Sequence, residues 1–177
     1  MYLLDRLKSA GRRQTIFWTR VPRCIEEGDI RLRFPGREDG PLLAGGLEDA
    51  GLLPQGYLTG RGLLSWVYLR WWIRKTFILS YIIEVGSRPI GVAGVCDIQP
   101  GESAEITVLI FKKGDRRRGY GGRTVAICTE ALKRSFSIKR MVAEVESKNI
   151  ASLSFLKKTG FGEIAGGPGI NIFSKEV

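Results

Sequence analysis

The strongest constraint on this chain is the run Arg116-Arg117-Arg118-Gly119-Tyr120-Gly121-Gly122. It lies between an alternating apolar stretch, Ala104–Phe111, and an amphipathic stretch, Gly122–Phe136. Period-two alternation reads as a strand. Val125, Cys128, Leu132 and Phe136 recur at three-to-four spacing and read as one helix face. A glycine-rich turn from strand to helix lets backbone N–H groups crowd around an anion. The helix adds unpaired N–H groups and the positive end of its dipole, and three arginines add full charges and forked donors. The run therefore reads as a pyrophosphate cradle, with a solvated basic turn as the plain alternative. A bulky side chain at Gly121 is expected to obstruct the pyrophosphate. The run is not the dinucleotide fingerprint, which needs Gly-x-Gly-x-x-Gly and a later acid. It is not a P-loop either, because no Gly-Lys-Ser/Thr follows.

A second motif follows: Asn149-Ile-Ala-Ser152-Leu-Ser-Phe155-Leu156-Lys-Lys158-Thr-Gly160-Phe161. With Arg116-x-x-Gly119-x-Gly121 before it, the chain resembles the GNAT superfamily of N-acetyltransferases over about residues 29–177. The first motif is similar to the family's acetyl-CoA pyrophosphate loop. The second is similar to its Asn-x-x-Ala/Ser helix followed by Lys-x-Gly-Phe. The resemblance implies an acetyl-CoA-dependent N-acetyltransferase working by direct transfer in a ternary complex, without a covalent enzyme intermediate or a metal. It implies cofactor contacts from Ile110, Phe111, Arg116, Arg117, Arg118, Gly119, Tyr120, Gly121, Gly122, Asn149, Ser152 and Leu156. Several of these have plain readings too. Ile110 and Phe111 fit ordinary strand packing, Asn149 fits a helix N-cap, and Leu156 fits the core.

Deprotonating an amine of pKa ~10.4 calls for a base. Glu105 is the candidate, at the position where the histone-acetylating branch carries its glutamate; its other reading is a solvated carboxylate on a half-exposed strand. Alternation puts Glu105 and Thr107 on one strand face and Ile106, Val108 and Ile110 on the other. Many superfamily members carry a tyrosine as acid for the leaving thiolate where this chain has Leu156, so that role does not carry over. Ser152 is then a candidate donor, or a small residue for close helix approach. The branch that acetylates ribosomal-protein N-termini, and some nucleotide-sugar acetyltransferases, often lack the tyrosine too.

The predicted order is strand Ile30–Phe34, helix Glu38–Ala50, a loop to Gly62, helix Leu63–Ile73, then strands Thr76–Val85, Ile90–Ile98 and Ala104–Phe111. Helix Gly122–Phe136, strand Arg140–Glu146, helix Asn149–Thr159 and strands Phe161–Ile164 and Ile170–Ser174 complete it. This β-α-α-β-β-β-α-β-α-β-β order fits a mixed α/β fold of the GNAT type, a mostly antiparallel sheet flanked by helices. Residues 1–28 read as a basic extension with a helix over Leu3–Arg13, and residues 29–177 as one acetyltransferase domain. At 177 residues the length suffices for one core.

The chain has no histidine, which excludes Ser-His-Asp and Cys-His catalysis and histidine metal ligation. Cys24, Cys96 and Cys128 are scattered and read as reduced thiols, the latter two as packing residues, in a cytoplasmic protein without a signal peptide. Leu63–Val85 is apolar, but Arg70, Arg74 and Lys75 in its middle would each cost roughly 2.5–3.5 kcal/mol at a bilayer centre. Trp66, Tyr68, Trp71 and Trp72 read as core rather than a nucleic-acid stacking platform. The net charge of +10 favours anionic partners. The expected acceptor is thus an amine with an anionic group nearby, on a nucleotide-linked amino sugar or a protein N-terminus. A homodimer stays open. The rival functions are a non-catalytic acyl-CoA-binding module and a nucleic-acid-binding protein.

Overall fold

The computed structural model describes residues 21–49 and 77–177. The predicted helices Leu3–Arg13 and Leu63–Ile73, the loop before the latter and the four aromatics from Trp66 to Trp72 lie outside the described residues.

Eight strands form one sheet: β1 (Cys24–Glu27), β2 (Ile30–Arg33), β3 (Leu79–Val85), β4 (Arg88–Gln99), β5 (Ser103–Ile110), β6 (Arg140–Glu146), β7 (Gly162–Gly167) and β8 (Ile170–Glu176). Their spatial order is β1-β2-β3-β4-β5-β6-β8-β7. Three α-helices are described: α1 (Gly40–Asp49), α2 (Tyr120–Phe136) and α3 (Ile150–Lys158). The result is the expected mixed fold, a mostly antiparallel sheet flanked by helices.

Local chemistry explains the connections. Gly86 and Ser87 both take positive φ, 54° and 64°, as a two-residue hairpin between twisted strands requires. β5 and β6 are joined through α2, a crossover long enough to bring them side by side in parallel; the other ladders are antiparallel.

Alternation divides the apolar residues between two faces. Ala104 and Ile106 of β5, Met141 and Ala143 of β6, and Phe173 of β8 pack with Val125, Cys128, Leu132 and Phe136 of α2 and Leu156 of α3. On the opposite face Ile82 and Val92 pack with Leu43, Ala44 and Leu47 of α1 and with Phe111. β3, central and covered on both sides, is buried along nearly its whole length. On the α1 face the Arg33 guanidinium ties down two buried carboxylates. It donates to Asp39 at 2.7 Å through both terminal nitrogens and to Glu84 at 2.8 Å.

Two elements differ from expectation. The sheet begins at Cys24, inside the stretch read as an extension, because Cys24–Glu27 pairs antiparallel with β2. This edge strand is short and mostly exposed, so its apolar alternation is faint. α2 starts at Tyr120 rather than Gly122, because Gly119 takes the N-cap in the left-handed conformation, φ 83°.

Candidate active site

The sheet opens between its two parallel strands. β5 and β6 pair only from Ser103–Arg140 to Glu105–Val142. Past that point β5 stays paired with β4 up to Ile110, and β6 stays paired with β8 up to Glu146. Among the described residues, no ladder joins Ile106–Ile110 to Ala143–Glu146. The sheet is therefore split by a V whose last closed rung is Glu105–Val142. Each strand runs into a loop and then a helix, so the N-termini of α2 and α3 both lie at the carboxyl edge where the V is widest. A crevice outside the carboxyl ends of parallel strands is where open α/β sheets bind ligands.

The walls of the V carry unused backbone. The Phe111 N–H donates to the Ile90 carbonyl at 3.0 Å. Two-residue alternation of an antiparallel ladder then turns the N–H and C=O of Ile110 and Val108 away from β4, toward the gap. The Ile110 carbonyl accepts from Arg116 Nε at 2.9 Å, and the Phe111 carbonyl from Arg116 Nη2 at 2.8 Å. Arg116 thus staples the end of β5 with two of its five N–H donors. Phe111 is a core residue with both backbone groups engaged, and its ring lies so close to Gly46 that a methyl there would sit 2.3 Å from Phe111 Cδ1. Of the two strand-end residues, only Ile110 faces the gap.

In the loop, Arg117 and Gly119 take positive φ, 61° and 83°, on either side of Arg118. Arg117, Arg118 and Gly119 are exposed. A methyl on Gly119 would meet nothing within 4 Å. The first N–H groups of α2, from Tyr120 to Gly122, have no intrahelical acceptor. Gly121 and Gly122 point elsewhere. A methyl on Gly121 would lie 3.3 Å from Phe155 Cε2, and one on Gly122 would lie 3.3 Å from Thr159 Cγ2. These two glycines let α2 approach α3, so the expectation that a Gly121 side chain meets the pyrophosphate first is corrected: it would meet Phe155. Tyr120, half-buried, packs against the core from the first turn.

The second motif forms α3. Asn149 Oδ1 accepts from the Ser152 N–H at 3.1 Å, an N-cap. Its side-chain oxygen is therefore engaged in the helix start. Ser152 lies half-buried in the first turn. Leu156 is buried, 4 % exposed, within the core shared with α2, in keeping with its core reading. Phe161 is buried as well, and Gly160 turns the chain at φ 86°.

Glu105 is half-buried on the face opposite α2 and α3, at the vertex of the V. Asp97 of β4 is its cross-strand partner, past a register shift at Cys96. All three cysteines are free. Burial pushes the Cys128 thiol up to about 12.

Sequence reading missed a pair that touches the loop directly. Asp115, 6 % exposed, accepts both terminal nitrogens of Arg88, at 2.9 and 2.7 Å. The Arg88 guanidinium holds the Asp115 carboxyl below its ordinary range, with Arg118 and Lys112 adding to the effect. The signal available was a lone acid inside a basic run, Lys112-Lys-Gly-Asp115-Arg116. Among the described residues, no group of three or more His, Cys, Asp or Glu could hold a metal ion. No described helix is long and apolar enough to cross a membrane.

Comparison with known proteins agrees with this geometry. Among solved structures, the chain is similar to RimL, a ribosomal L7/L12 alpha-N-protein acetyltransferase in complex with coenzyme A. The identity is 16 %, the match covers 89 % of this chain and 97 % of that one, and the TM-score is 0.67. Mycobacterium smegmatis RimJ in complex with CoA-disulfide matches at 17 % identity over 84 % and 82 % of the two chains, with a TM-score of 0.66. The microcin C7 self-immunity acetyltransferase MccE, in complex with acetyl-CoA and AMP, matches at 17 % identity over 88 % and 97 %, with a TM-score of 0.69. At such identities these likenesses show the fold. No curated protein matches the sequence. The family model for the acetyltransferase (GNAT) domain matches residues 55–162, more than half of the chain. The chain belongs to the GNAT family of acetyltransferases.

Proposed function

We propose that this enzyme moves the acetyl group directly onto a primary amine, with Glu105 as the base. The observation that carries the proposal is the V between β5 and β6 with Glu105 at its vertex. Acetyl-CoA supplies the acetyl group as an activated thioester. The N–H of Ile110 and the N–H and C=O of Val108 are offered at the strand edge, which suits an extended chain of amides. Arg117, Arg118 and the first turn of α2 offer charge and free N–H groups to the pyrophosphate. α2 and α3 cover one face of the sheet and Glu105 projects from the other. The cofactor is thereby read as approaching from the helix face and the amine from the carboxylate face. Glu105 takes the ammonium proton directly or through one water, a contribution of about 10²–10⁴-fold. Ser152, in the first turn of α3, is the candidate donor to the leaving sulfur. A thiol of pKa ~8.5 leaves tolerably near neutral pH without an acid, which fits Leu156 in the core.

The acceptor is read as a protein N-terminus or a nucleotide-linked amino sugar. The missing tyrosine and the Asn-x-x-Ser pattern support both, and the likeness in fold to RimL and RimJ adds support for the former. Thiol release from acetyl-CoA, screened over N-terminal peptides, amino sugars and small amines, tests the reading. Glu105→Gln should lower turnover about a hundredfold and leave acetyl-CoA affinity unchanged. Wild-type turnover in that variant would remove Glu105 from the mechanism. Binding without turnover on any amine would favour the non-catalytic module.

A further inference from the structure

We infer that Arg88 is a positioning residue for CoA, acting through Asp115 to set the charge and shape of the pyrophosphate loop. The inference rests on the reading of residues 116–122 as that loop.

Asp115 closes the short 3-10 turn Lys113–Asp115, immediately before the three arginines. Lys112, Lys113, Arg116, Arg117 and Arg118 surround it in sequence, and cations crowded this closely repel one another. A carboxylate in their midst relieves that repulsion, and here it is tucked beneath the loop rather than projecting from it. A carboxylate beside an anion site has a cost, because it repels the phosphates the loop is built to hold. Arg88 meets that cost. It reaches Asp115 from the start of β4, 27 residues earlier in the chain, and makes two parallel bonds of 2.9 and 2.7 Å. A bidentate fork fixes direction as well as distance. It therefore anchors the loop to the β3–β4 hairpin and cancels the Asp115 charge before a ligand arrives. Arg116 completes the anchoring by stapling the loop to the carbonyls of Ile110 and Phe111.

Charge cancellation and simple bracing make different predictions. If the pair is only a brace, losing either partner does equal harm and losing both is no better. If Arg88 neutralises Asp115, then Arg88→Gln is the most harmful change, because it leaves a bare carboxylate beside the bound phosphates. Asp115→Asn is milder, and the double variant Arg88→Gln/Asp115→Asn binds better than Arg88→Gln alone. Asn matches Asp in shape, Gln is a shorter neutral replacement for Arg, and thermal melts of each variant set a temperature at which all are folded.

Isothermal titration with CoA should show Arg88→Gln weakened roughly tenfold and the double variant recovering most of that loss. In steady state the KM for acetyl-CoA should rise while kcat at saturation stays unchanged. The gap between single and double variants should narrow as salt rises from about 0.05 to 0.5 M, where a screened charge effect fades. Equal affinities for Arg88→Gln and the double variant, at every salt concentration, would overturn the inference. Arg118→Ala and Gly119→Val test the underlying reading separately. If both keep wild-type CoA affinity, residues 116–122 are not the pyrophosphate loop. If both lose it while Arg88→Gln matches the double variant, the loop reading stands and the role of Arg88 falls.

Discussion

Gly119 and Gly121 look alike in the sequence, yet the structure gives them different reasons to be glycine, and this separates two measurable costs. At Gly119 the backbone holds φ 83° with no atom within 4 Å of an added methyl. Gly119→Ala therefore meets no clash, only the left-handed penalty of about 1–2 kcal/mol for an L-residue. In a chain of this size that corresponds to a fall in Tm of roughly 2–8 °C. At Gly121 the backbone is helical, and the added methyl meets Phe155 Cε2 at 3.3 Å, Phe155 Cζ at 3.5 Å and Val108 Cγ1 at 4.0 Å. The half-buried Phe155 ring needs to give by only tenths of an ångström, and alanine recovers up to about 1 kcal/mol of helix propensity. Gly121→Ala should thus change stability by less than about 1 kcal/mol, whereas Gly121→Val should cost about 1–3 kcal/mol by overpacking. Cofactor affinity should follow the opposite geometry. A valine at Gly119 enters open space beside the loop and, if the phosphates lie there, should weaken CoA at least tenfold, while Gly121→Ala should change it less than threefold, as estimated from a methyl directed into packed side chains. Circular-dichroism melts and calorimetric titration of the variants are the assays. A larger loss of stability and of affinity for Gly121→Ala than for Gly119→Ala would refute the reasoning.

Three further outcomes are expected. Arg33→Ala leaves Asp39 and much of the charge on Glu84 buried without their partner, so the denaturant midpoint should fall by an amount equivalent to about 3–5 kcal/mol with the m-value unchanged. Cys24, exposed, should react with a thiol reagent in the native protein, and Cys128 only on unfolding. With its thiol raised from 9.0 to about 12, Cys128 favours the folded state fully below pH 9; that contribution is lost as pH rises from about 9 toward 12, and Cys128→Ala should flatten alkaline destabilisation in that window. Acidic or nucleotide-linked amines should outperform polycationic ones, with an advantage that shrinks above about 0.15 M salt; efficient spermidine acetylation with no preference for acidic acceptors would show that net charge does not govern acceptor choice.

The sequence determined by itself what depends on local pattern. Alternation located β6 at Arg140–Glu146 without error, and three-to-four spacing marked the face that α2 buries. The loop of glycines and arginines together with the later Asn149–Phe161 motif, in that order and spacing, pointed to the family. Turn and cap chemistry acts over a few residues, so it is written in a few residues. The tertiary structure alone decided what depends on distant partners. The V arises because β5 stays with β4 and β6 with β8, a competition between ladders that no single strand encodes. Arg116 reads as a phosphate ligand by type, but two of its five donors go to carbonyls at the end of β5. Asn149 caps its own helix, and Leu156 packs in a core built from both helices. Arg88 gave no sign in its hairpin, because its meaning lies in a carboxylate 27 residues away. Side-chain type fixes which bonds a residue is able to make; packing fixes which partners come within about 3 Å, and directional bonds fall off steeply beyond that distance.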